Sequence, residues 1–146
     1  MIATENNLLE NAKVVLDNAS AYTAYVPAYN AVVCVVKKSF ITKNDFEALF
    51  NSVGACAKEN NAEKIVFDKR NMQIFDQASM TWYHTKWKEE LLQEIGLNKH
   101  RKLLPNDKFF RKSVEIGREK IAREHNFDFS RFDIQYFDDL EEALKN

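Results

Sequence analysis

The second half of the chain repeats one pattern, in which a short apolar run opens into a polar turn and then into a helix. The run 64–67 leads into the turn 68–71 and a tryptophan-bearing helical segment. The same order recurs in the run 102–104, the turn 105–107 and a further helical segment. Strands, loops and helices in alternation are typical of a parallel sheet covered by helices. The sequence therefore predicts an α/β fold.

Three runs of β-branched or aromatic residues precede this repeat. They cover residues 14–16, 22–26 and 31–36, with turn residues between them. We expect them to open the domain as an antiparallel ribbon. From residue 31 onward helices alternate with strands, which favours parallel pairing through right-handed crossovers. The predicted fold is a mixed, mostly parallel sheet with a leading antiparallel ribbon and about four helices.

Capping residues and apolar spacing place the helices. Thr42, Asp76, Asp107 and the pair Asp138-Asp139 are predicted to begin them, since side-chain oxygens at these positions accept hydrogen bonds from the first turn. Gly96 is predicted to end the second helix. The apolar stripe of that helix, at helical spacing, consists of Met80, Tyr83, His84, Trp87, Leu91 and Ile95.

Trp82 is the one large aromatic residue that falls off this stripe. It projects nearly opposite to Met80, onto the side that carries Lys86 and Glu89. Two interpretations remain open: the ring covers a loop or neighbouring helix, or it forms a pocket wall or a contact for a partner.

The length and charge of the chain limit its class. Its 146 residues are the usual size of one domain, and we predict a tail over residues 1–11 and a single domain over residues 12–146. The chain has 21 basic and 22 acidic side chains, and no segment concentrates the basic ones. Because nucleic-acid binding needs an electropositive face, nucleic acid is not a predicted partner.

Neither a membrane span nor a secretion signal is predicted. No apolar run approaches the ~20 residues that cross a bilayer, and the N-terminal residues lack a basic segment followed by an apolar one. Cys34 and Cys56 lie in apolar patterns without CxxC spacing, which favours small buried residues in a reducing compartment over a redox or metal role. The predicted location is the cytoplasm.

Catalytic motifs are absent from the sequence. There is no HExxH, GxSxG, GxxxxGKS/T or GxGxxG, and three glycines leave little for a phosphate-binding loop. His84, His100 and His125 fall on different predicted elements, and His84 is interpreted as a core or boundary residue. No catalytic residue, metal ligand or cofactor is predicted.

The predicted site follows from the topology. Ligands of open α/β sheets gather beyond the carboxyl ends of the parallel strands, where the loops 68–76 and 105–109 lie. The predicted ligand- or partner-binding residues of this rim are Asp68, Arg70, Asn71, Phe75, Trp82, Asp107 and Arg111. In one interpretation the aspartates pair with the arginines and fix the loops. In the other, a free arginine recognises a carboxylate or phosphate beside the aromatic residues.

Several short motifs in a fixed order resemble a known family. They are FDKRN at 67–71, Trp82 and Trp87, Gly96, LPND at 104–107, IQYFD at 134–138 and EEAL at 141–144. Together they are similar to small bacterial STAS-like proteins of the type found in Bacteroidetes, which share the fold of the anti-sigma-factor antagonists and of the cytoplasmic domains of sulfate transporters. The resemblance covers residues 12–146. It implies a STAS-like sheet and a protein that works by contacting other molecules rather than by turning over a substrate.

The sequence departs from that family at its regulatory serine. The antagonists carry a phosphorylatable serine in an Asp-Ser-Ser-Gly-like turn, and residues 71–79 contain no such turn. Ser79 is the nearest hydroxyl; it either satisfies backbone groups in the first helical turn or acts as a phosphorylation switch. The partner-switching mechanism is therefore not carried over.

Three functions remain as hypotheses. The favoured one is a non-enzymatic regulatory or protein-interaction module of STAS-like type, with a protein partner or a second copy of the chain bound. The alternative is a binder of a small apolar or amphipathic ligand, because 11 phenylalanines, five tyrosines and two tryptophans exceed what the core needs. An enzyme with Asp68 or Asp107 as general base is the third.

Overall fold

The computed structural model describes Leu9, residues 11–74 and residues 76–146. Its six strands lie side by side in chain order: β1 (Lys13–Asp17), β2 (Ala21–Val26), β3 (Ala31–Val36), β4 (Lys64–Asp68), β5 (Lys99–Leu103) and β6 (Asp133–Tyr136). The first three pair antiparallel, and β3 to β6 pair parallel. The predicted mixed sheet with a leading antiparallel ribbon is confirmed. The predicted tail over 1–11 lies outside the described residues, except for Leu9 and Asn11.

The prediction of the fifth strand was wrong at its beginning. The predicted run starts at Lys102, but β5 begins three residues earlier, at Lys99. These three additional residues have side chains with polar ends. The backbone hydrogen bonds to β4 on one side and β6 on the other hold these residues in the sheet. Pairing on both sides therefore buries a strand that its hydropathy alone does not predict.

Four helices are present in the described residues. They are α1 (Lys43–Asn60), α2 (Gln77–Trp82, Tyr83–Trp87 and Lys88–Ile95), α3 (Lys108–Glu124) and α4 (Leu140–Lys145). Each predicted cap accepts a backbone hydrogen bond: Thr42, Asp76, Asp107 and Asp139. Gly96 ends α2 at a φ of 68°, a left-handed conformation that glycine adopts without strain.

The middle of α2 is a π-helical turn over Tyr83–Trp87, in which the backbone N–H of Lys88 donates to the carbonyl of Tyr83. Such turns are rare and occur often at functional sites. Trp87 anchors the turn to α1, because its Nε1 donates to the carbonyl of Phe50 at 2.7 Å. A Cβ at Gly54 would lie 3.2 Å from the same nitrogen, so a glycine there allows the close approach.

The sheet has two differently covered faces. One face, which we call the helix face, packs against α1, α2 and α3 through side chains such as Phe50, Phe67 and Tyr83. The other, which we call the α4 face, packs against Leu140 and Leu144 of the last helix. No helix in the described part of the chain is both long and apolar enough to cross a bilayer.

Candidate functional site

The predicted rim contains a formed ion pair. Arg70 binds Asp68 in a two-pronged manner, with Nε at 2.9 Å from Oδ1 and Nη2 at 2.7 Å from Oδ2. The backbone N–H of Arg70 also donates to Asp68 Oδ1. Of the two interpretations left open by the sequence, the loop-fixing ion pair is therefore the one that the structure contains at this position.

The other predicted rim residues mainly hold the loops. Asp107 accepts from the N–H groups of Phe109 and Phe110 as the cap of α3. Arg111 donates from Nε to the carbonyl of Pro105 at 3.0 Å, and Asn71 lies 3.4 Å from the carbonyl of Val36. Phe75 lies outside the described residues.

Trp82 is half-buried and packs on the first helix. Its ring meets Phe46 edge to face, with centroids 6.3 Å apart and planes at 76°. The structure thus shows the ring covering a neighbouring helix, which is the first of the two interpretations of Trp82.

A second group of residues lies beneath this rim on the helix face. The sequence did not predict this group as a site. It consists of five bases from three elements, of which Lys69 is half-buried and the other four are buried: Lys69 after β4, His84 and Lys88 in α2, and His100 and Lys102 in β5. Both histidines and Lys88 are 0% exposed, and Lys102 is 3% exposed. We call these five residues the basic cluster.

Tyr83 is the centre of the basic cluster. The Nζ atoms of Lys69, Lys88 and Lys102 lie 5.0, 4.9 and 4.9 Å from the centroid of its ring. Any two of these amino groups are therefore separated by no more than about twice that distance. Three cations would repel one another strongly at such spacing in a dry interior.

Asp76 lines a narrow cavity together with residues of the basic cluster, but its Oδ2 accepts hydrogen bonds from Ser79. No carboxylate of the described residues forms a salt bridge with a lysine of the basic cluster. The hydroxyl of Tyr83 and both ring nitrogens of His84 are buried without a hydrogen-bond partner in the same part of the chain. Buried polar atoms in native proteins are nearly always bonded, so this cluster calls for a partner or a functional explanation.

The contacts with Tyr83 do not compensate for the burial of these lysines. A desolvated cation–π contact contributes about 2 kcal/mol, whereas the desolvation penalty of one buried ion is several kcal/mol. Burial accordingly lowers the pKa of Lys69 to about 8. Burial is also the main cause that lowers the pKa values of Lys88 and Lys102 well below the usual range, and neighbouring cations lower them further.

The other ionisable groups of the site stay uncharged. Burial, and then the nearby lysines, lowers the pKa of His84 and of His100 well below the ordinary value. Burial raises the pKa of Tyr83 well above its ordinary value. The site therefore holds neutral imidazoles, a neutral phenol and lysines that lose their protons easily.

A narrow cavity reaches the basic cluster. It has a volume of about 40 Å³, and Lys69, Lys102, Tyr83 and His84 form its polar wall. Asp76 adds a carboxylate to that wall, and the remaining lining residues are apolar: Ile41, Phe46, Met72, Met80, Leu104, Phe110 and Val114. A space of this size holds a small group of atoms, since a single water needs about 10–15 Å³ by the same measure.

A wider groove of about 650 Å³ lies on the other side of Leu104 and Val114, which line both spaces. Arg118 lines the groove, donates to the Tyr136 hydroxyl at 2.7 Å and lies over the ring of Phe129. Its charge also contributes to lowering the pKa values of Lys88 and Lys102. The arginine thus adds positive charge to the basic cluster from the groove side.

Two signals in the sequence would have pointed to the basic cluster. Lys88 lies four residues after His84 and three before Leu91, so it belongs to the apolar stripe of α2, where a lysine is out of place. Lys102 belongs to an apolar run that was predicted as a strand. The convergence of both on Tyr83 depends on the π-helical turn, which sequence spacing does not predict.

The basic cluster contains only two residues of a metal-ligating type, His84 and His100. Lysines do not ligate metals while protonated, and the described residues contain no group of three His, Cys, Asp or Glu side chains placed to hold a metal ion. Comparison with protein-family models, with curated proteins and with solved structures finds no match to this chain. The STAS-like resemblance therefore stays a prediction.

Proposed function

We propose that the protein binds a small amphipathic anion, whose charged end enters the narrow cavity at the basic cluster. The observation that carries this proposal is the set of three lysines around Tyr83 without a carboxylate partner among the described residues. It develops the ligand-binding alternative that the aromatic content suggests, and it moves the site from the rim to the space beneath it.

An anion would resolve the electrostatic problem of the basic cluster. A carboxylate or phosphate oxygen accepts hydrogen bonds from ammonium groups, and such charge-assisted bonds are about twice as strong as neutral ones. A single anion near Tyr83 would be within the field of all three lysines. It would also offer acceptors to the phenol hydroxyl and to a protonated nitrogen of His84, which have no partner among the described residues.

The shape of the cavity restricts the ligand. About 40 Å³ accommodates the charged end, and the apolar lining suits a short hydrocarbon part. Met72 and Met80 lie in that lining, and methionine side chains adapt easily to the shape of a ligand. A polyanion such as a nucleotide would not fit.

Binding is expected to take up protons. The anion favours the charged form of Lys69, whose pKa is about 8 in the free protein, and of Lys102, whose pKa is lower than usual. Affinity should therefore increase as the pH falls from 9 towards 6, and decrease when the ligand carboxylate itself becomes protonated.

Calorimetry with matched probes tests the proposal. We expect hexanoate to bind at pH 7 at least about tenfold more tightly than hexanol, which has the same tail without the charge. Lys102→Met should weaken hexanoate binding by about tenfold or more. Lys99→Met, on the same strand but paired with Glu63 at the surface, should leave it unchanged.

Proton uptake gives an independent readout in the same experiment. The binding heat should depend on the ionisation enthalpy of the buffer, with a sign that corresponds to protons entering the complex. Equal affinity for hexanoate and hexanol, or unchanged hexanoate binding in Lys102→Met, would contradict the proposed site.

A second candidate is the protein-interaction module of STAS-like type that the sequence favours. One observation supports it: Phe109 is 87% exposed and Ile74 is 62% exposed, both at the end of the sheet where the parallel strands finish. Such side chains are common in contacts with partners. Loss of a captured partner or of self-association in Phe109→Ser, with no loss in Ile116→Ser on the exposed side of α3, would support this candidate.

The cellular location also stays a proposal. We infer a cytoplasmic protein, because both cysteines are free and buried as the sequence predicts. Free thiols fit a reducing compartment.

A further inference from the structure

We propose that Lys102 acts as a nucleophilic amine and forms an imine with the carbonyl group of a small oxo acid bound in the narrow cavity. This inference rests on the proposed function, since the acid group of the same molecule would be the anion that the basic cluster binds. It goes beyond that function by assigning a covalent step to one residue and a chemical class, the oxo acids, to the ligand.

Geometry selects Lys102 among the three lysines. Lys102 is 3% exposed and lines the cavity, whereas Lys88 is buried without lining it. Lys69 lines the cavity too, but it is partly exposed and follows the end of β4. A nucleophilic lysine needs access to the ligand together with a dry, cationic environment, and Lys102 combines both.

The surroundings of Lys102 lower its pKa, so that a larger fraction of its amine is free and nucleophilic than in an exposed lysine at the same pH. Burial lowers the pKa of Lys102 first, and the charges of Lys88, Lys69 and Arg118 add to this effect. Lysines activated by desolvation and by a neighbouring cation form Schiff bases with carbonyl substrates. Lys88 does not line the cavity, so its role in this proposal is to lower the pKa of Lys102.

Lys69 supplies the complementary charge. Its pKa of about 8 leaves it largely protonated at neutral pH, so it is suited to bind the carboxylate of the ligand or to donate a proton. His84 lines the same cavity as a neutral imidazole and offers a nitrogen that can accept a proton. The cavity thus combines an amine of lowered pKa, an ammonium group and a neutral base.

The reaction balances without a further reagent. The lone pair of Lys102 Nζ attacks the carbonyl carbon, a C–N bond forms, and the carbonyl oxygen takes a proton from Lys69. The nitrogen then loses a proton to His84, which returns that proton to the hydroxyl so that the hydroxyl leaves as water. The resulting iminium nitrogen gives its proton to the neutral amine of Lys69. The overall change is amine plus carbonyl giving imine plus one water, with no net oxidation or reduction.

Reductive trapping with pyruvate tests the inference. The full chain is incubated at pH 7 with pyruvate and sodium cyanoborohydride, which reduces an imine to a stable secondary amine. Intact-mass measurement and peptide mapping then locate the adduct. We expect one adduct per chain, on Lys102, at least about tenfold more abundant than on Lys99, because each unit of pKa lowering increases the free-amine fraction about tenfold.

Matched probes and variants give the controls. Lactate has the same acid group without the carbonyl and should give no adduct. Lys102→Met should abolish the adduct and Lys99→Met should not. Because the comparison of Lys102 with Lys99 is made within the unmodified chain, it remains decisive even if Lys102→Met fails to fold, and Lys102→Arg serves as a second variant.

The outcomes separate this inference from the proposed function. Adducts spread over exposed lysines, with no excess on Lys102, would overturn the imine step while hexanoate binding still supported the anion site. Absence of both the adduct and hexanoate binding would overturn both proposals. A Lys102 adduct that persists at pH 6, where ordinary lysines are almost fully protonated, would support the inference most strongly.

Discussion

The buried bases on the two faces of β5 differ in their hydrogen-bond and salt-bridge partners. On the α4 face, Arg101 donates from Nη1 to the carbonyl of Asp133 at 2.7 Å and from Nη2 to its carboxylate at 3.0 Å. It also bonds the carbonyl of Asn146. On the helix face of the same strand, the described residues give no carboxylate to Lys102 and no hydrogen-bond partner to the ring nitrogens of His100.

Arg101 and Lys102 are thus adjacent residues of one strand, and of the two only Arg101 is paired with a carboxylate of the described residues. Lys64 repeats the pattern on the α4 face, where its Nζ donates to the carbonyl of Leu144 at 2.6 Å. The fold therefore provides partners for buried cations where they serve packing. The helix-face lysines have no carboxylate partner among the described residues, an arrangement that is typical of residues placed for a ligand or a reaction.

The largest expected effect concerns the paired cation. Arg101→Met should lower the free energy of unfolding by about 3 kcal/mol, because it removes bonds to a charged group and leaves two carbonyls without their donor. Chemical denaturation at pH 7 measures this value. A change below about 1 kcal/mol would show that the bonds of Arg101 contribute little and would remove the contrast between the two faces.

The pH dependence of the free energy of unfolding provides a second test of the difference between the two faces. The pKa values of Lys88 and Lys102 are lowered in the folded chain, so unfolding takes up protons and the free energy of unfolding should rise with pH below the unfolded value of 10.5. We expect a rise between pH 7 and pH 9 of about 1.4 kcal/mol per pH unit for each lysine that titrates only in the unfolded chain.

Other titrating groups limit the pH range over which the rise of the free energy of unfolding reports on Lys88 and Lys102. Above pH 8, Lys69 adds to the rise, because its folded pKa is about 8. Above pH 9 the buried Cys34 opposes it, since burial raises the pKa of its thiol to about 12 while the unfolded thiol ionises near 9.0. Urea denaturation across pH 7 to 9 in Lys102→Met should show a smaller slope than in the parent chain. An equal slope would mean that Lys102 is not the residue that titrates.

The smallest effect is expected for substitutions on the helix face itself. Lys102→Met should be neutral or raise the free energy of unfolding by about 1–2 kcal/mol at pH 7, because an apolar chain of similar size replaces an unpaired buried base. Lys99→Met, which removes an exposed ion pair with Glu63, should change it by less than about 1 kcal/mol. Marked destabilisation by Lys102→Met would indicate a structural role for this lysine.

The sequence predicted most of the fold because local signals agree with it. Caps at Thr42, Asp76, Asp107 and Asp139 begin the helices, and β-branched runs form the first three strands. The start of β5 was missed, since its polar residues are buried by pairing with neighbours that are distant in sequence.

The candidate site was predicted less well, because it depends on three-dimensional convergence. The rim residues Asp68 and Arg70 were identified at the correct end of the sheet, but they bond to each other. Lys88 and Lys102 come from different elements, and the π-helical turn at Tyr83 brings them to one ring. Neither the turn nor the absence of a described carboxylate partner can be read from spacing alone.

The most direct test of the account is the pKa of Lys102, measured by NMR from the side-chain carbon and nitrogen resonances with and without hexanoate. We expect the pKa of Lys102 to lie well below the ordinary value of lysine in the free protein and to increase when hexanoate binds. A pKa near the ordinary value of about 10.4, unchanged by hexanoate, would contradict this expectation.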